Sequence, residues 1–200
     1  VPRRDMDSIE DRVRAQAATE LERLGSDRGL IALTDADLSA ETIRSRLAGA
    51  LAGVGTVYEG WASEDETFAT AAESAHELAA TAAAGDDVEP ATDHPLVSTL
   101  GDVEGRPARV GAGLIGVPLV VDGWALQGVS FFVNEADETA ADDCREIRAG
   151  LDDLLAAGED AVSESEGEAA ADAALDLIAV AYEDYVETLA DMGLDPKTVC

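Results

Sequence analysis

Basic residues are scarce in this chain. Thirteen Lys and Arg stand against 43 Asp and Glu, the formal net charge is −30, and Lys197 is the sole lysine. So negative a surface repels nucleic-acid phosphates and anionic lipid headgroups alike, and no basic cluster interleaved with aromatics offsets it, which argues against direct DNA or RNA binding. Cysteine is equally sparse: Cys144 and Cys200 form neither a CxxC pair nor a disulfide framework, and they read as free thiols of a reducing compartment. No long apolar run free of charge or helix breakers is present and the N-terminus lacks a signal-type apolar core, so neither a membrane span nor a secretory leader is expected and the expected location is cytoplasmic. Residues 1–5 precede Met6 and are expected to lie outside the native chain. No Gly-x-Gly-x-x-Gly follows a strand, and Walker and G-x-S-x-G motifs are missing, which leaves nucleotide and α/β-hydrolase chemistry without support.

What is present suits one folded domain over residues 1–200. At 200 residues and 46% apolar content the chain can bury a core without metal or disulfide staples. The acids are spread among apolar residues, so the chain is not a disordered acidic tail. Their mutual repulsion is tolerable where concentrated salt shortens the Debye length to roughly 3 Å at 1 M. Abundant Ala, Asp and Glu, with Arg in place of Lys, resemble haloarchaeal proteomes.

Apolar periodicity predicts helices. Ser8 can cap one carrying Ile9, Val13, Ala17, Leu21 and Leu24, closed by Gly25. Ser39 can cap a second whose one apolar face carries Ile43, Leu47, Leu51, Val54, Tyr58 and Trp61. Phe68, Ala72, Ala75 and Leu78 mark a third. Cys144, Ile147, Leu151, Leu154 and Leu155 mark a later one. Leu175, Ile178, Tyr182, Tyr185, Val186 and Leu189 mark the last, stopped by Gly193 and Pro196. Residues 85–107, with prolines at 90, 95 and 107, read as a long connection holding one helical turn at Leu96–Leu100. Such a crossover is what a bundle with parallel successive helices requires. Residues 108–133 are nearly all apolar and glycine-rich, and two readings stand: a central helix kinked at Pro118, or a hairpin turning at Asp122-Gly123. An all-α bundle is favoured because a lone hairpin is marginal and has no partner strands here.

Two histidines bear on chemistry. Glu73-Ser-Ala-His76 is an E-x-x-H whose spacing sets carboxylate and imidazole side by side on a helix, as bundle metal sites require. With so many acids in the chain, a solvent-facing pair is the plainer account. A complete di-iron centre needs a second E-x-x-H, and His94, the only other histidine, falls in the long connection. Asp93-His94-Pro95 as a catalytic dyad is outweighed by a solvated loop histidine. Asp35, Asp37, Asp86, Asp87, Asp142 and Asp143 lack the EF-hand spacing and read as hydrated surface. The aromatics fall on apolar stripes and read as core.

Glu20-Leu-Glu-Arg-Leu-Gly25, Tyr58-Glu-Gly-Trp-Ala62, Ser130-Phe-Phe-Val-Asn-Glu-Ala-Asp137 and the ending from Asp184-Tyr-Val-Glu to Cys200 together resemble a haloarchaeal rubrerythrin-like group of the ferritin-like superfamily. The resemblance implies a ferritin-like helical bundle with a long crossover. Rubrerythrins are di-iron peroxide reductases, and of their ligands only Glu73 and His76 match, implying a degenerate metal site. A local resemblance of Ile115-Gly-Val-Pro-Leu-Val-Val-Asp-Gly-Trp124 and Val129-Ser-Phe-Phe132 to the hairpin of GAF sensor domains implies instead an α+β fold. The expectation is a non-catalytic interaction or accessory protein without cofactor, working with a protein partner or as a homodimer. The alternatives are an iron- or manganese-dependent oxidoreductase at Glu73 and His76, and a small-molecule sensor.

Overall fold

A computed structural model describes residues 8–83, 90–91 and 94–196. Every regular element among them is helical: α1 Ile9–Gln16, α2 Ala18–Leu24, α3 Asp27–Leu33, α4 Ala40–Ala62, α5 Thr67–Ala83, α6 Pro95–Gly101, α7 Arg106–Arg109, a π-helical stretch Val110–Gly116, α8 Val117–Asn134, α9 Glu138–Ala161 and α10 Gly167–Asp191. The fold is therefore an all-α helical bundle, consistent with a ferritin-like arrangement.

Two helical hairpins, α4 with α5 and α8 with α9, are joined by the long connection that carries α6, and α10 closes the bundle against the π-helical stretch. The caps form as the residue types dictate: Ser8 accepts from the Asp11 N–H at 3.0 Å and Ser39 from the Thr42 N–H at 3.2 Å. The expected first helix is divided at Ala17, and Gly25 ends α2 with φ −87° instead of the left-handed cap anticipated. Gly25 and Gly123 serve close approach: a Cβ on Gly123 would lie 2.9 Å from Gly25 Cα. On α10, Ile178, Tyr185 and Leu189 are buried, whereas Leu175, Tyr182 and Val186 are only half-buried at its margin.

The hairpin alternative for residues 115–133 is overturned, and with it the α+β fold, because Asp122 and Gly123 lie inside α8. A turn signal yields when both flanks can be buried all round as helix. Arg106–Asn134 runs as one rod through the centre, and Val110 to Val121 are all buried. Pro118 has no N–H to give the preceding turn, and that turn is widened: the Val117 N–H reaches back to the Ala112 carbonyl, a π-type bond. The carbonyl of Gly113 is taken by the buried Tyr58 hydroxyl, which donates at 2.6 Å. Gly111 lies so close to α10 that a Cβ would come within 1.9 Å of the Ala170 carbonyl oxygen. By length and composition the rod could cross a membrane, yet 61% of its most apolar window is covered by the other helices. The buried apolar residues form one contiguous cluster.

Candidate functional site

The E-x-x-H lies on an outer edge of the α4–α5 hairpin. His76 is 38% exposed, and its Nε2 sits 3.1 Å from Glu59 Oε1 on α4. The ring rests on α4 because Gly55 lies beneath it, where a Cβ would meet His76 Cε1 at 2.7 Å. Glu73 points to solvent and enters no ion pair among the described residues. No group of three or more His, Cys, Asp and Glu side chains is arranged to hold a metal ion among those residues. The interior offers nothing more: the buried polar or charged residues described are Thr34 and Arg44. Arg44 is committed to Asp143 at 2.8 Å and the Ala82 carbonyl at 3.0 Å. The described residues therefore do not assemble a complete di-metal centre around Glu73 and His76.

His94 is placed where the sequence did not suggest. Instead of a solvated loop side chain it is a largely buried N-cap, its side chain 11% exposed. Pro95 starts α6 with a preset φ and no N–H to satisfy, which puts His94 at the cap. Its Nδ1 accepts the Leu96 N–H at 3.1 Å. That nitrogen therefore carries no proton, and the ring proton is on Nε2, which faces Asp184 Oδ2 at 3.6 Å. The imidazole also packs against Trp124, ring centroids 4.8 Å apart. Asp93, the other half of the suggested dyad, lies outside the described residues.

These groups line a cleft of about 240 Å³ bounded by Ala32, Leu33, Asp35, Arg46, His94, Pro95, Asp184 and Thr188. Its rim is the α3–α4 turn, where Asp35 and Ala36 take φ of 51° and 65° in succession, a left-handed conformation that strains non-glycine residues. Arg46 pairs with Asp35 at 2.7 Å. Burial, and next the Asp35 carboxylate, push the Asp184 carboxyl above the ordinary carboxylate range, against the pull of Arg46. His94 is a poor general base because the lone pair it would use holds the α6 cap. Among the described residues no serine or cysteine lines the cleft; Cys144 is buried on α9, where desolvation raises its thiol to about 11.

Gly111-Ala-Gly113-Leu-Ile-Gly116 has the glycine spacing of a dinucleotide fingerprint, but here it is the buried π-helical stretch, pressed on Ala170, Tyr58 and Ala174. The glycines admit neighbouring helices, not a pyrophosphate. Cys200 lies outside the described residues. No family model, curated protein or solved structure matches this chain.

Proposed function

We propose that the protein is a non-catalytic helical bundle of a salt-rich cytoplasm, a degenerate relative of the rubrerythrin-like group that acts through a protein partner or a second copy of itself. The observation that carries this reading is the composition of the interior. Where a di-metal bundle turns carboxylates and imidazoles inward, this one runs a glycine-rich apolar rod, with the Gly113 carbonyl accepting from the Tyr58 hydroxyl. The net charge of −30 supports the salt-rich setting.

Metal analysis of protein purified in concentrated KCl without chelator tests it, with peroxide turnover measured on the same sample. The expected result is sub-stoichiometric iron and manganese and no turnover above buffer. Stoichiometric metal lost on both Glu73→Ala and His76→Ala would overturn it in favour of the oxidoreductase. Dialysis to low salt tests the setting: the helical circular-dichroism signal is expected to collapse, and a signal that persists removes the salt-adapted part.

A further inference from the structure

A cleft of about 740 Å³ lies where the starts of α1 and α10 meet the turn that follows α9. The two helix N-termini on it are not alike. That of α1 is answered: Ser8 caps it, and Glu159 Oε1 accepts the Glu10 N–H at 2.6 Å. That of α10 is not, because its N-cap Glu166 gives no side-chain cap and turns its carboxylate to the Ser163 N–H at 3.0 Å. Arg12 stands at this open end, its Nη2 donating to the Gly167 carbonyl at 2.9 Å. Its Nε is buried and has no acceptor, the one such side-chain atom among the described residues. A buried N–H without an acceptor is costly, and more so on a charged group. Arg12 also enters no ion pair among those residues, although the carboxylates of Glu159, Glu164 and Glu168 line the same cleft. A positive helix end and an unanswered guanidinium in one place call for an anion.

The rest of the lining decides which anion. A simple anion would be opposed by the three carboxylates, and a simple cation would leave Arg12 unanswered. Ile9 and Val162 add apolar surface. We propose that this cleft binds a zwitterion, a free aliphatic amino acid. Its carboxylate lies against Arg12 and the first N–H groups of α10, its ammonium faces Glu164 and Glu168, and its side chain rests on Ile9 and Val162. Both charged ends then make charge-assisted hydrogen bonds, and the cleft leaves room for bridging waters beside them. This inference stands apart from the proposed partner-binding role, since none of these residues belongs to the E-x-x-H or to its contact with Glu59.

Nitrogen-15-labelled protein in concentrated KCl is titrated with L-leucine. The expected result is a saturable shift of the Gly167 and Glu168 amides and of the Arg12 Nε–H, while the Trp124 indole N–H, packed on His94 outside the cleft, stays fixed. Two analogues separate the charges on the unaltered protein, N-acetyl-L-leucine lacking the ammonium and L-leucinamide the carboxylate. Each should bind at least about tenfold more weakly than L-leucine, the loss of one charge-assisted contact. Arg12→Gln should weaken L-leucine by a similar factor, with a dispersed spectrum showing that the variant is folded. Shifts that stay linear in L-leucine, or an Arg12→Gln variant that titrates like wild type, would overturn the proposal. So would N-acetyl-L-leucine binding as tightly as L-leucine, which would assign the site to a plain carboxylate, and so would L-leucinamide doing the same, which would assign it to a cation.

Discussion

The two histidines occupy opposite situations. His76 lies on the outside of α4 over Gly55, more than a third exposed, with Glu59 as its partner. His94 follows the connection whose Ala91 lies over Gly49, and it is held by a backbone N–H, a tryptophan ring and a facing aspartate. The residue with the recognisable motif is the less constrained of the two. A motif reports spacing along one helix, whereas constraint comes from elements far apart in sequence: α6, α8 and α10 all converge on His94.

Two glycines of α4 sharpen the contrast, Gly55 beneath His76 and Gly49 beneath Ala91 in the connection that leads to His94. At Gly49 a Cβ would stand 1.8 Å from the Ala91 carbonyl oxygen, a backbone atom that cannot step aside because the Ala91 N–H is itself bonded to the Ser45 carbonyl at 3.1 Å. Gly49→Ala should therefore lift the connection off α4 and cost about 3 kcal/mol or more, seen as a steep fall in the thermal midpoint in concentrated KCl. Next in size, His94→Ala removes the α6 cap and the packing on Trp124, an expected loss of about 2 kcal/mol. His76→Ala should change stability by less than about 0.5 kcal/mol. Similar losses for the two histidines would erase the distinction drawn between them.

Asp184 sharpens the comparison through pH. Its folded carboxyl titrates above the ordinary range, so the charged form is the one that folding penalises. The penalty is absent at low pH, where Asp184 is protonated in both states, and it grows as pH rises from the ordinary aspartate range through the raised folded value. Asp184→Asn should thus stabilise the protein at neutral pH by about 0.5 kcal/mol, a modest figure because the group is one-third exposed. The gain should fade on acidification. A gain independent of pH would show that burial of charge is not its cause.

Most of the helical framework was legible because it rests on local signals: serine caps at 8 and 39, and apolar stripes on α4, α5 and α9. The rod at 106–134 was ambiguous for a physical reason. A segment buried on all sides has no amphipathic period, and Asp122-Gly123 carries the same turn signal whether or not a turn forms. The split at Ala17 has no break residue to announce it. His94 was misjudged because histidine is not a preferred cap residue; Pro95 at the first helical position was the signal available. Its pairing with Asp184 spans ninety residues and left no local trace.

The smallest effect belongs to Gly55, and its size follows from what the added methyl would strike. At Gly49 the obstacle is backbone; at Gly55 it is the end of an imidazole, 2.7 Å away, which can swing outward into solvent. Alanine in the interior of a helix as long as α4 gains up to about 1 kcal/mol over glycine. Displacing His76 gives up an exposed contact with Glu59 worth no more than a few tenths, about 0.3 kcal/mol, and the displaced ring must also leave the groove it fills. Gly55→Ala should therefore land within about 0.5 kcal/mol of wild type, with the thermal midpoint nearly unmoved and the His76 ring resonances shifted toward solvent values. A loss as large as that of Gly49→Ala would mean that His76 is held as firmly as His94, by more than the groove and Glu59.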